Sequence, residues 1–344
     1  MLVPGAPNAL FFSGSCEPVI NGSAAWVLES TPLGSPSATT EFYGLAYSPS
    51  LNIGVVAGIN GTDRRAGYSY GNGTWTRVNS ADDTLDWRGI AWSPSLGMFV
   101  AVSSGSAKVM TSTNGTSWTI QTGAGAGAYN VAWSPERSIF ASLMEGGAGT
   151  VKTSTNGTAW TSGSHGLGSI GFGDIVWANT LGLFIGTGTT NGATYNVIKS
   201  TDGTTWSGAA TVGGASDQWN NVCWAEELGL LCMVNNSGIT TSNRFAISSD
   251  GTAWTTYNSP TSNAYRGVTY IPDYGFLAVA SDRHVTYSAD GITWTDQTTL
   301  SGSIGSTPTK VGFASGWGEF GKAVALGDAA TATCITVLDG FLPC

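Results

Sequence analysis

Between residues 90 and 118 the chain reads Ile90-Ala91-Trp92-Ser93-Pro94-Ser95-Leu96-Gly97-Met98-Phe99-Val100-Ala101-Val102 and then, after nine residues, Ser112-Thr113-Asn114-Gly115-Thr116-Ser117-Trp118. The first word sets two apolar, β-branched and aromatic runs either side of a Ser-Pro-x-x-Gly turn. The second word places Asn-Gly between extended runs, the strongest short hairpin signal, because both central residues of such a turn take positive φ. Gly does this freely, and Asn and Asp tolerate it. Together the words predict four short strands, at about 88–92, 98–103, 107–112 and 117–121.

Both words recur. The hairpin word returns from Ser154 to Trp160, Ser200 to Trp206, Ser248 to Trp254 and Ser288 to Trp294, with a degenerate copy from Ser69 to Trp75. Its turn residues are Asn114 with Trp118, Asn156 with Trp160, Asp202 with Trp206, Asp250 with Trp254, and Asp290 with Trp294. From Trp75 to Trp294 the spacings are 43, 42, 46, 48 and 40 residues. Relatives of the first word begin at Leu45, Val131, Ile175, Val222 and Val268, with a worn copy at Val311. Its aromatic anchors are Tyr47, Trp92, Trp133, Trp177, Trp224, Tyr270 and Phe313.

Four strands per period of this length are the pattern of a β-propeller. The expected class is all-β: a single seven-bladed β-propeller of four-stranded blades over 1–344, its last blade closed by an N-terminal strand. The expected blades are 42–79, 87–122, 128–163, 172–209, 219–257, 265–298, and 309–341 plus 20–30, with 1–41 as an N-terminal segment. The last unit has no hairpin word after Leu338, whereas Asn21-Gly22-Ser23-Ala24-Ala25-Trp26 stands alone at the other end. Ala25–Glu29 is therefore expected as the outer strand of the last blade, and closure of this kind removes free sheet edges.

On these two words the chain resembles the Asp-box (BNR-like) repeat proteins, whose members include sialidases, sortilin-type receptors and a photosystem assembly factor. Its wording is most similar to repeats of bacteriophage tail and virion proteins. The resemblance covers roughly residues 20–340 and implies a sialidase-like fold. It does not extend to the sialidase site. That site needs an arginine triad, a Tyr–Glu nucleophile pair and an early Arg-Ile-Pro word; here none of the eight arginines precedes Arg64 and the word is missing.

Composition limits the partners. The net charge is −9, and charged residues are 10% of the chain against about a quarter in ordinary domains. That argues against nucleic acid, which needs clustered Lys and Arg, and against anionic membrane surfaces. No run of 18 apolar residues exists, so no membrane insertion is expected. Met1-Leu2-Val3-Pro4-Gly5 lacks the basic and apolar regions of a secretory signal. A surface rich in Ser, Thr, Asn and Gly without such a signal suits a particle released by lysis. Of five cysteines, Cys223 and Cys232 fall at core positions of the repeat; Cys16 could pair with Cys334 or Cys344 if the termini meet.

No residue pattern points to catalysis, a metal or another cofactor, so the expectation is of no enzyme. A calcium loop wants several carboxylates, and each hairpin turn has one or an Asn. His165 and His284 lack the neighbours of a zinc site. Asp82, Asp83 and Asp86 form the one dense acidic cluster, readable as a glycosidase pair or as a solvated loop.

The remaining signal lies at the start of each innermost strand. One slot holds Phe42, Trp87, Ala128, Phe172, Trp219 and Tyr265; the next holds Tyr43, Arg88, Tyr129, Gly173, Asn220 and Arg266. These sit where the channel opens opposite the hairpin turns. They read either as inter-blade packing or as a binding face made of Trp87, Arg88, Tyr129, Asn130, Trp219, Asn220, Tyr265 and Arg266. The expected function is a non-enzymatic virion component, a bacteriophage tail-fibre, tail-tip or capsid-surface protein. Its partners would be other virion proteins or a host-surface receptor or glycan. The alternatives are a secreted glycan-binding propeller and a glycosidase using the acidic cluster.

Overall fold

The computed structural model describes residues 26–28, 41–60, 64–122, 128–144, 149–168, 170–189, 194–214, 217–237, 242–299, 308–314, 322–327 and 335–338. Six four-stranded antiparallel sheets follow one another in the chain, each with its strands in sequence order. We number them blades 1 to 6, over 41–78, 86–122, 128–164, 172–210, 219–257 and 265–299. In blade 2 the strands are Asp86–Ser93, Met98–Ser104, Lys108–Ser112 and Thr119–Thr122, close to the four expected from the two words.

A further sheet is composite. Pro308–Ala314, Lys322–Gly327 and Ile335–Leu338 pair in order, and Trp26–Leu28 completes it from the other end of the chain. Trp26 stands opposite Leu338 and Leu28 opposite Thr336. The count of seven like blades is thereby corrected to six blades of contiguous chain, plus this composite sheet. The reason is connectivity: among the described residues the last repeat supplies three strands, and the fourth, three residues long, comes from the N-terminal region.

The core sits between blades rather than within them. Ile53, Val55 and Ala57 of blade 1 pack with Trp87, Ile90 and Phe99 of blade 2. Val100, Val102 and Val109 of blade 2 pack with Val131, Trp133 and Phe140 of blade 3. The same arrangement repeats around to Val324 and Leu326 of the composite sheet, which pack on Phe42, Val56 and Trp75 of blade 1.

In blades 2, 3, 4 and 6 the two sequence words meet through aromatic contact. Trp92 lies 4.5 Å from Phe99, and Phe99 lies 6.4 Å from Trp118. Trp177, Phe184 and Trp206 repeat this at 4.6 and 6.3 Å. The hairpin turn is closed by its own side chains. Ser200 Oγ accepts the Gly203 N–H at 2.8 Å, while Asp202 Oδ1 accepts those of Thr204 and Thr205 at 2.8 and 2.7 Å. Gly203 has φ +74°, and a Cβ there would lie 3.2 Å from Ala141 Cβ of the preceding blade. The turns of blades 2 to 6 thus seat against the preceding blade as well as closing their own hairpins, whereas a Cβ at Gly73 in the turn of blade 1 would meet nothing within 4 Å.

Every innermost strand carries a register shift at the same place, between Phe42 and Gly44, Trp87 and Gly89, Ala128 and Asn130, Phe172 and Asp174, Trp219 and Asn221, Tyr265 and Gly267, and Pro308 and Lys310. A bulge leaves one residue unpaired and re-aims the side chains around it. Here it separates the residues of the channel mouth from those of the channel itself.

Candidate functional site

The bulges sort the eight residues expected to form a binding face. Trp87, Trp219 and Tyr265 lie before the bulge and are 0% exposed. The Trp87 indole N–H donates to Asp82 O at 3.1 Å, that of Trp219 donates to Val212 O at 3.1 Å, and the Tyr265 hydroxyl meets Thr261 Oγ1 at 3.0 Å. These three wedge between blades and present nothing to a partner, so the packing reading replaces the binding one for them. Arg88, Tyr129, Asn220 and Arg266 are the bulged residues and are partly exposed. The Arg88 guanidinium stacks between the rings of Tyr43 and Tyr129, at 5.1 and 4.5 Å. Asn220 Nδ2 donates to Arg266 O at 3.0 Å. The mouth opposite the hairpin turns is therefore braced from blade to blade.

Asn130 lies after the bulge and turns inward. Its amide donates to Asp174 Oδ1, and the Asn221 amide of the next blade donates to Asp174 Oδ2. Asp174 is 4% exposed and also accepts the N–H groups of Ile175 at 2.9 Å and Val222 at 3.3 Å. Lys310 Nζ of the composite sheet approaches it at 3.7 Å. One carboxylate thus joins blades 3, 4 and 5 and faces the closing sheet.

These polar groups form the floor of a cavity of about 730 Å³. It opens at the other end of the ring, among the turns that join first and second strands, with Pro135, Asn179, Glu226, Glu227 and Pro272 at its rim. Trp133, Trp177, Trp224 and Tyr270 wall it. Three of these rings are fixed by a bond to the preceding blade. Trp177 Nε1 donates to Glu136 Oε2 at 2.6 Å, Trp224 Nε1 to Asn179 Oδ1 at 2.7 Å, and the Tyr270 hydroxyl to Glu227 Oε2 at 2.7 Å. Burial, and then the bond and charge of Glu227, raise the Tyr270 phenol above its ordinary range. Cys223 also lines the cavity, paired in register with Cys232. Both are free thiols, and burial pushes each of them up. A protonated thiol is a poor nucleophile.

The concave site therefore lies at the end opposite the expected one. The sequence held a partial signal for its floor: the slot after the bulge is Gly44, Gly89 and Gly267 in three repeats but Asn130, Asp174, Asn221 and Lys310 in the others.

The other candidates are structural. Asp83 Oδ1 accepts from Ser80 N, Ser80 Oγ and Arg65 N at 2.9, 2.6 and 3.0 Å. Burial would raise the Asp83 carboxyl, but these donors outweigh it and hold the group low. Asp82 Oδ1 is bonded by Thr84, and Asp86 is paired with Arg65 at 2.6 Å. A general acid needs a carboxyl held up, not down. His165 is 3% exposed, packs edge-on against Phe172 and is lowered by burial. In the Asp turns Oδ1 accepts two backbone N–H groups, as Asp250 does from Thr252 and Ala253 and Asp290 from Ile292 and Thr293. Among the described residues no group of three His, Cys, Asp or Glu is placed to hold a metal ion. Cys16, Cys334 and Cys344 lie outside the described residues.

No protein-family model matches the chain, and no curated protein matches it. Solved structures do. A streptogramin B lyase superposes with TM-score 0.70 at 12% identity, over 88% of this chain and 94% of that one. YCF48 bound to a D1 peptide gives 0.63 at 14%, over 88% and 95%. A GH74 enzyme of Niastella koreensis gives 0.63 at 17%, over 88% of this chain and 54% of that one. The β-propeller fold is shared with all three. At these identities the likeness concerns the fold, and it shows no Asp-box or bacteriophage relation. The expectation of a non-enzyme is corrected here: the same ring carries a lyase and a glycoside hydrolase, so the missing sialidase site does not exclude catalysis.

Proposed function

We propose that the chain is a recognition propeller that captures a partner in the central cavity, as a virion-surface component docking to another virion protein or to a host-surface receptor. The observation that carries this is the cavity of about 730 Å³, with three of its aromatic walls each tied to the preceding blade. Its volume lies within the roughly 300–1,000 Å³ of ligand sites, and fixed walls lower the ordering cost of binding. A propeller of the same fold has been solved with a peptide bound. The virion assignment is supported by the low charge, the Ser-, Thr-, Asn- and Gly-rich surface and the repeat wording.

The test is titration of labelled protein onto host cells and onto purified particles. Trp224→Ala is expected to weaken binding at least about tenfold, the scale of a central aromatic anchor, with an unchanged circular dichroism spectrum. Binding that survives Trp224→Ala but is lost in Arg88→Ala would move the site to the other mouth. Mass spectrometry of purified particles checks location, and absence of the chain there would end the virion reading. A specific glycan-array signal lost in Trp224→Ala would make the receptor's sugar the occupant.

A further inference from the structure

The geometry points to a charge class for the occupant of the central cavity, and this rests on the reading of that cavity as the capture site: the occupant is a Lys- or Arg-bearing peptide segment of a partner protein. Among the described residues, the turns around the mouth carry Glu136 on blade 3, Glu226 and Glu227 on blade 5, and Asp273 on blade 6, against one basic residue, Arg137. Glu136 and Glu227 are each bonded to a ring of the wall. Such bonds leave the negative charge at the mouth while fixing where it sits. Glu226 lines the cavity and its carboxylate has no hydrogen bond or ion pair among the described residues. At the floor, Asp174 is offset by Lys310 at 3.7 Å, so the charge imbalance belongs to the rim.

The walls agree with the rim. Trp177, Trp224 and Tyr270 spend their polar atoms on the preceding blade, so what they offer the cavity is ring surface. Aromatic faces carry negative quadrupole potential and attract ammonium and guanidinium groups. An anionic occupant would meet the like charge of Glu136, Glu226 and Glu227, and a neutral apolar one would leave Glu226 unused. The net charge of −9 adds long-range attraction for a cation.

A peptide, rather than a free amine, suits the remaining geometry. About 730 Å³ is far more than one ammonium group fills, and the mouth is open at the turns. Trp133, 8% exposed on the wall, has an indole N–H without a partner, because blade 2 carries Ser95 where blade 3 carries Glu136. That buried donor on the cavity wall is one a peptide carbonyl could satisfy.

Intrinsic tryptophan fluorescence and calorimetry would test this with four probes: a blocked pentapeptide containing two arginines, the same peptide with two glutamates, the same with two glutamines, and tetramethylammonium chloride. The arginine peptide is expected to bind at least about tenfold tighter than either peptide control, and to lose affinity as salt rises. Glu226→Gln is expected to weaken it about three- to tenfold, while Asp282→Asn, on a loop at the opposite end, leaves it unchanged. Equal binding of the arginine and glutamate peptides, both lost in Trp224→Ala, would overturn the charge class and leave the cavity as the capture site. Tetramethylammonium binding as tightly as the arginine peptide would overturn the peptide. No binding of the arginine peptide below millimolar concentration, or binding unaffected by Glu226→Gln, would overturn the proposal outright.

Discussion

Substitution of Gly173 tests how tightly the innermost strands converge. Its φ is not positive, so no backbone strain enters; the difficulty is space. A Cβ at Gly173 would lie 2.6 Å from Asn220 O, 2.8 Å from Asn220 Cα and 2.8 Å from Trp219 O. Carbon atoms pack at about 3.5–4.0 Å, so the approach to Asn220 Cα is short by roughly 0.7 Å. All three neighbouring atoms are backbone of blade 5 and cannot rotate aside. The two strands must part, and they must do so one residue from Asp174 and Asn221, whose side chains bridge them. Overpacking costs about 1–3 kcal/mol, and loosening a hydrogen bond to a buried charge adds about 1.5–3 kcal/mol. Gly173→Ala should therefore cost about 3–5 kcal/mol. The control is Gly97→Ala, at φ +58° with nothing within 4 Å of its Cβ; left-handed backbone alone costs an alanine about 1–2 kcal/mol. Urea unfolding, followed by tryptophan fluorescence and circular dichroism, reads both. Convergence of the inner strands predicts that Gly173→Ala lowers the midpoint at least about twice as far as Gly97→Ala. Equal shifts, or a larger one for Gly97→Ala, would refute it.

Three further outcomes are expected. Asp174→Ala leaves Asn130, Asn221 and Lys310 without their shared acceptor, and should cost about 3–5 kcal/mol, the scale for removing one partner of a buried ionic group; thermal unfolding reads this, and a loss under about 1 kcal/mol would show the bridge to be idle. Burial would raise the Asp202 carboxyl, but the Thr205 and Thr204 N–H groups and the Ser200 hydroxyl hold it at about 2, below its ordinary 3.8. Because the folded value is depressed, its stabilisation is complete above the unfolded value and fades as pH falls from about 3.8 to about 2; the difference in urea midpoint between the native chain and Asp202→Asn should shrink across that window and stay constant from pH 5 to 7. Removal of residues 1–30 uncovers Ile335–Leu338 as a free edge, so light scattering should show concentration-dependent association, and a monodisperse truncated protein would count against that role for Trp26–Leu28.

The blades were legible because their two words carry their own physics. Asn-Gly and Asp-Gly set the hairpin, and the anchor aromatics find the Phe and Trp of the same blade, as Trp177 finds Phe184 and Trp206. The borrowed outer strand was legible from a missing word at one end and a spare one at the other. The site was not. Trp87 and Trp219 occupy a slot that adjoins both the channel mouth and the neighbouring blade, and spacing alone does not choose between them. The bulge that separates Trp87 from Gly89, and Trp219 from Asn221, leaves no mark in composition. The depth of the cavity depends on how far the inner strands splay towards Glu226 and Pro272, which is a property of the closed ring. Asp174 was readable only as an exception to the glycine found in other repeats, and its partners come from blades 3 and 5 and the composite sheet.

The composite sheet also sets a clock on synthesis. The hairpin turns of blades 2 to 6 press on the blade before them, as Gly203 does on Ala141, so a growing chain can add blades in the order they emerge. Trp26–Leu28 is made first and used last. Its partner strand begins at Ile335, 307 residues after Leu28. At about 5–20 residues per second that is a wait of roughly 15–60 s. For that interval the nascent ring is an open arc with its first and last blades unpartnered, and the short, three-residue length of the waiting strand limits what else it can pair with in the meantime.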